Sequence, residues 1–317
     1  MTVMNPVLVE VERSGFVESW HRGSAVGLDA SGAAAVRLGA PDDPIFPRSA
    51  NKPMQAVAML RSGLDLDGPW LALAAGSHSG EDFHVEGVEK ILASAGLGAG
   101  VLRCPEAGPL DAPGRGRSRL RMNCSGKHAA MLATCVAAGW PTESYLDAGH
   151  PLQRAVRAAV RDLTGETAVT VGVDGCGAPL FAASPAGVAR AYRALVLSEP
   201  GTPERRVADA MRAHPRWTSG TRREERRLMD AVPGLLVKCG AEGVDAFALP
   251  DGRAGVVKID DGAMRARTPV TVALLRALGG DTGTGVDVAA LDALSTVPLY
   301  GGDRQVGAIR PAPGVFA

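Results

Sequence analysis

Strand-forming segments gather at the two ends of this 317-residue chain, and helical periodicity fills the stretch between them. Val7-Leu8-Val9-Glu10-Val11-Glu12-Arg13 partly alternates apolar and polar residues, as a half-buried strand does. Ser24 to Leu28 and Ala33 to Leu38 read as two more strands, joined by the turn residues Asp29-Ala30-Ser31-Gly32. Toward the other end, Leu235-Leu236-Val237 and Ala254-Gly255-Val256-Val257-Lys258-Ile259 read as strands, the second flanked by Asp251-Gly252 and Asp260-Asp261-Gly262. Helices are expected over 50–61, 81–95, 126–138, 151–163, 186–197, 204–213, 223–231 and 268–278, with Ser79 as the N-cap of the one beginning near 81. Terminal strands of this kind pair in one antiparallel sheet covered by the intervening helices, an α/β chain of the α+β sort. No repeat, low-complexity tract or long linker interrupts it, so residues 1–317 are expected to form a single domain.

Charge and cysteine usage narrow the function. Lys+Arg and Asp+Glu both number 34, which leaves no electrostatic footprint for nucleic acid or a membrane surface. No apolar run reaches membrane-spanning length, and Glu10, Glu12 and Arg13 precede any long apolar stretch, so neither a span nor a secretory signal is expected. The five cysteines (Cys104, Cys124, Cys135, Cys176, Cys239) are an odd number, which points to free or metal-bound thiols in a reducing cytoplasm.

Several short motifs can carry chemistry. Ser49 and Lys52 stand three residues apart where a helix should start, so both side chains can share a face, and a neutral lysine there can take the serine proton. In isolation the same residues describe a serine cap and a solvated lysine. Lys238-Cys239-Gly240 ends an apolar strand and resembles the K-T-G element of serine penicillin-recognising enzymes, with Cys for Thr. In Ser77-His78-Ser79, a capping Ser79 leaves Ser77 the freer hydroxyl, and His78 is either a base or a hydrogen-bonded structural histidine. Cys124 and Cys176 supply soft donors suited to zinc, but no C-x-x-C or H-x-x-H pair accompanies them, so spacing alone favours two buried free thiols. Arg115, Arg117, Arg119 and Arg121 alternate as a solvated extended edge would, and Arg222 to Arg227 reads as a mixed-charge helix face. Asp281-Thr282-Gly283 occurs once, in a glycine-rich loop, and does not make an aspartic-protease site.

Taken in order, Arg48-Ser49-x-x-Lys52-Pro53-x-Gln55-Ala56, Ser77-His78-Ser79, Asn123-Cys124-Ser125-Gly126-Lys127-His128, Asp174-Gly175-Cys176 and Lys238-x-Gly240-Ala241 resemble the rhizobial-type (class 3) L-asparaginases, also labelled asparaginase II. The resemblance runs from about Val7 past Asp261. It implies a fold like that of serine β-lactamases and glutaminases, a homodimer, and hydrolysis of L-asparagine to L-aspartate and ammonia. It implies two Ser-Lys pairs, Ser49 with Lys52 and Ser77 with Lys238, and a zinc site of Cys124, Lys127 and Cys176 completed by water. Arg48 and Asp174 match residues that shape the substrate site. On this reading Ser49 is the preferred nucleophile, Lys52 its base, and the second pair a proton relay. Zinc then organises the pocket rather than activating water.

Other functions fit parts of the pattern. A glutaminase or penicillin-recognising hydrolase of the same fold is one, although there is no Ser-Asp-Asn element. Threonine-type asparaginases are unsupported, since no T-G-G-T or H-G-T-D-T stretch occurs. A non-enzymatic zinc or thiol sensor that binds an amino acid is the remaining alternative.

Overall fold

The computed structural model describes residues 4–167 and 170–316. In chain order its strands are β1 (Val7–Arg13), β2 (Phe16–Leu28), β3 (Ala34–Leu38), β4 (Val171–Val173), β5 (Pro179–Phe181), β6 (Leu236–Gly240), β7 (Val244–Ala248), β8 (Ala254–Ile259), β9 (Val297–Gly301) and β10 (Arg304–Pro311). Its helices are α1 (Lys52–Arg61), α2 (Gly68–Ala75), α3 (Asp82–Ser94), α4 (Ser125–Ala138), α5 (Pro151–Thr164), α6 (Pro185–Leu197), α7 (Pro203–Ala213), α8 (Pro215–Thr218), α9 (Glu224–Ala231), α10 (Met264–Ala277) and α11 (Val288–Leu294). They fall into two compact units, one of Met1–Ala50, Ala183–Leu197 and Arg227–Ala317, the other of Asn51–Ala182 and Ser198–Arg226. The chain is mixed α/β, with an antiparallel sheet and helices as expected.

The first unit is built on an antiparallel sheet in the order β6-β7-β8-β2-β1-β10-β9, with β3 also paired to β2. The two ends of the chain meet twice in it, where β2 pairs β8 and β1 pairs β10. The core joins Leu8, Val11, Val237, Phe247 and Val257 of the strands to Val270 and Leu274 of α10 and Leu291 of α11. A buried salt bridge, Arg267 Nη1 to Asp245 Oδ1 at 3.0 Å, with Thr271 donating to Oδ2 at 2.9 Å, satisfies the carboxylate on β7. Helix α10 starts four residues ahead of the expected 268, with Pro269 inside it. Proline is a good start signal, but it was not the start here.

The second unit is helical, apart from the two-stranded β4–β5 ribbon. Its central helices are not amphipathic. Every residue of α1 from Lys52 to Leu60 is buried, and so is Leu71 to Ala75 of α2. An all-round apolar helix belongs in a core. Gly126, in the first turn of α4, lets that helix lie against α2: a Cβ there would stand 2.7 Å from Leu73 O. Among the described residues no helix is long and apolar enough to cross a membrane.

Candidate active site

An ammonium group taken out of water without partners costs several kcal/mol, so buried lysines need a reason. The chain has five lysines. Three of them, Lys52, Lys127 and Lys238, are among its largest fully buried side chains, and these are the three that the motifs single out.

Lys52 opens α1 directly behind a 3-10 turn, Arg48–Asn51. Its Nζ lies 2.6 Å from Gly76 O, 2.8 Å from Ser77 Oγ and 3.4 Å from Asn123 O. The two carbonyls can only accept, so they take up two N–H groups. The nitrogen also meets the Ser77 hydroxyl, and it acts on the Cys124 thiol as well. As an ammonium it can donate to Ser77, and as a neutral amine it can accept from that hydroxyl. Backbone bonds hold this arrangement in place: Ser77 N–H donates to Thr218 O at 2.8 Å, and His78 N–H to Asn123 O at 3.1 Å.

His78 resolves as structural. Gly80 N–H donates to its Nδ1 at 3.1 Å, so the ring proton sits on Nε2 and goes to Ser125 Oγ at 2.8 Å. The Ser125 hydroxyl in turn donates to Leu120 O at 2.6 Å. Burial first, then the neighbouring His84 and Lys52, hold His78 well below the usual histidine range, so it stays neutral. Ser79 is not the N-cap that its spacing suggests. Helix α3 begins at Asp82 with Glu81 in the cap position, and the Ser79 hydroxyl donates to Glu81 Oε1 at 2.6 Å. The Glu81 carboxylate also takes the Thr221 N–H at 2.8 Å and its hydroxyl at 2.5 Å, which ties this loop to the segment after α8.

The thiols form a second cluster in the same unit. Cys124 stands at the N-cap of α4, where the helix dipole favours a thiolate, and Lys127 follows one turn on. Lys127 Nζ lies 3.1 Å from Cys176 Sγ, and the Cys124 thiol donates to Asn123 Oδ1 at 3.0 Å. Cys124 and Cys176 are hydrogen-bonded to one another. The bond from Cys176, against burial and with help from Lys52 and Lys127, pulls Cys124 well below the usual thiol range, while the same bond and burial push Cys176 up. Burial works to lower Lys127, but Cys176 and Cys124 outweigh it and keep the ammonium charged. Asp174 Oδ1 accepts from Gly175 N–H at 2.9 Å, and its Oδ2 lies 4.0 Å from Cys176 Sγ.

This donor set fits a soft divalent ion: two cysteines, one already favoured as thiolate, and a lysine amine on one buried patch. The lysine must lose its proton to serve, which couples binding to pH. Among the described residues no three His, Cys, Asp or Glu side chains gather in a metal-holding group, so a metal here would need the lysine as a donor. All five cysteines are buried and none is in a disulfide.

The remaining predicted residues belong to the sheet unit, because the boundary falls between Ala50 and Asn51. Ser49 sits in the 3-10 turn. Arg48 precedes it in a left-handed backbone conformation, φ 54°. Lys238 is on β6, and its Nζ donates to Cys239 O at 2.8 Å.

Sequence reasoning missed several supporting residues. Tyr192 of α6 donates its hydroxyl to Ala50 O at 2.9 Å, steadying the turn next to Ser49. His128 Nδ1 meets the Tyr145 hydroxyl at 2.7 Å, and Arg103 N–H also reaches that hydroxyl, at 3.2 Å. His128 was visible as the neighbour of Lys127; Tyr145 and Tyr192 lie in unremarkable stretches. The alternating arginines are not an extended edge. Arg117, Arg119 and Arg121 donate to the carbonyls of Glu106, Leu102 and Gly80, and so brace a run of turns.

Residues 9–311 match a family described as L-asparaginase II. Comparison with curated proteins finds no significant match. Similar solved structures include a β-lactamase from Mycobacterium bovis, 15% identical over 81% of this chain and 94% of that one, TM-score 0.42. EstCE1, a hydrolase with promiscuous acyltransferase activity, is 14% identical over 86% of this chain and 93% of its own, TM-score 0.41. Simvastatin synthase from Aspergillus terreus is 14% identical over 81% and 91%, TM-score 0.39.

Proposed function

We propose that this chain, which belongs to the L-asparaginase II family, hydrolyses the side-chain amide of L-asparagine to L-aspartate and ammonia by covalent catalysis with serine and lysine. The family match makes it an amide-hydrolysing enzyme; the substrate and the residue roles are our reading. The observation that carries it is the buried contact of Lys52 Nζ with Ser77 Oγ at 2.8 Å. With its proton lost, Lys52 offers a lone pair to the hydroxyl beside it.

Ser49 attacks the carboxamide carbon, and Lys52 takes its proton. Ser77 and Lys238 pass protons onward, ammonia leaves, and water cleaves the acyl-enzyme. Asp174 receives the substrate ammonium and Arg48 its carboxylate. Cys124, Lys127 and Cys176 would hold zinc, which would supply charge and rigidity beside the pocket. A second assignment is favoured by the same contact: Ser77 itself is the nucleophile, with Lys52 as its base. Labelling with an electrophilic asparagine analogue followed by peptide mass spectrometry separates the two. The first assignment expects the label on Ser49, and a label on Ser77 establishes the second.

The function is tested by ammonia release from L-asparagine, with L-glutamine in parallel, with added zinc and with chelator. Release from asparagine, rising from neutral toward alkaline pH as lysine loses its proton, is the expected result. Release from glutamine alone changes the substrate and keeps the chemistry. No release from either amide in both metal conditions rejects the reading in favour of a different amide or an amino-acid sensor.

A further inference from the structure

Among the described residues three that are not glycine have left-handed backbone: Ser14, Arg48 and Glu242. Ser14 shares the β1–β2 hairpin turn with Gly15, a position that demands it. The other two carry opposite charges and face one another, with Arg48 Nη1 3.7 Å from Glu242 Oε1. A side chain with a Cβ disfavours this conformation, and it persists where the surroundings impose it. They do so here. A Cβ on Gly240 would stand 2.2 Å from Pro47 O, so the tip of the β6–β7 hairpin presses backbone to backbone on the turn that bears Arg48. Lys258 Nζ donates to Glu242 O at 2.8 Å and pins that tip.

The ion pair itself is loose. At 3.7 Å it is longer than a hydrogen bond, and the Glu242 side chain is 64% exposed against 24% for Arg48. Such a carboxylate stays hydrated and does not orient the guanidinium through directed bonds. It can be displaced at little cost by an anion that binds the planar guanidinium with both oxygens.

We propose that Glu242 is a built-in competitor of the substrate carboxylate for Arg48, and so sets the enzyme's affinity for free amino acids. The inference rests on the proposed function for the role of Arg48 and for the identity of the incoming carboxylate. A specificity-determining residue of this kind raises KM and leaves the chemical step alone.

The test compares wild type with Glu242→Gln and Glu242→Asn, the second because asparagine tolerates left-handed backbone. KM for L-asparagine is expected to fall about two- to fivefold, the range of an exposed ion pair, with kcat unchanged. Inhibition by 3-aminopropanamide, which has the amide and amine but no α-carboxylate, is expected not to change. A KM that stays the same or rises in both variants overturns the proposal, as does an equal gain for 3-aminopropanamide. If wild type does not hydrolyse asparagine, the asparaginase reading fails, and calorimetric titration with L-aspartate decides. Tighter binding by the variants supports the competitor role, and equal or weaker binding overturns it.

Discussion

Lysine can act as a base only when neutral, and around Lys52 that form has a use. Gly76 O and Asn123 O lie beside its nitrogen as acceptors, and a neutral amine there can take the proton of the Ser77 hydroxyl at 2.8 Å. Replacing Lys52 with Met removes the base and strands two buried carbonyls. We expect kcat to fall by about 10²–10⁴ and stability by about 1–3 kcal/mol. Ser77→Ala keeps Lys52 on its two carbonyls, so it should lose turnover on the same scale with little change in urea midpoint. Near-normal turnover in Ser77→Ala would make the contact structural. The identities of these residues were legible in the sequence from motif order. Their contacts were not, since Lys52 and Ser77 stand 25 residues apart and meet through backbone bonds between loops that no spacing rule encodes.

Helices α2 and α4 carry the two sides of this cluster, for Ser77 follows the first and Cys124 begins the second. Their spacing depends on Gly126, where a Cβ would meet Leu73 O at 2.7 Å and Leu73 Cγ at 2.8 Å. Both are poorly placed to yield, one being backbone and the other a buried branch point. Gly126→Ala should therefore cost about 1–3 kcal/mol, the range for overpacking a core, measured by urea denaturation. An unchanged midpoint would show that the helices can separate freely. The elements most legible in the sequence were those with one wet face, such as α5, whose buried Leu152, Val156, Ala159, Val160 and Leu163 follow helical spacing. Helix α2 has no wet face, so no helical periodicity marks it in the sequence. Strand β7 was missed because Asp245 breaks its apolar pattern, and only the structure shows Arg267 and Thr271 satisfying that carboxylate. Strands β9 and β10 are half-exposed and carry too few apolar residues to stand out.

At the scale of the molecule, the pairing of the two chain ends in one sheet followed from the sequence, but its dependence on pH did not. His84 is buried, donates Nε2–H to Arg216 O at 2.9 Å, and is pulled down to about 4, first by burial. His78 is shifted in the same direction. A histidine with a depressed pKa favours the fold while neutral. Its contribution is complete above the unfolded value near 6.5 and is lost as pH falls toward 4. For His84 that is roughly 3 kcal/mol. Glu81 adds to it in a lower window. Burial works to raise its pKa, but the bonds from Ser79 and Thr221 outweigh it and hold the carboxyl below its ordinary range, so its contribution disappears under further acidification. All three residues lie in the helical unit. Urea midpoints should accordingly drop between pH 6.5 and 4, with net proton uptake on unfolding. Hydrogen exchange should show α3 losing protection before the strands of the sheet. His84→Gln, which keeps a donor for Arg216 O but cannot titrate, should flatten the upper part of that slope. A midpoint constant from pH 7 to 4.5 would mean that these histidines take up protons without cost to the fold, and that their burial does not control its acid limit.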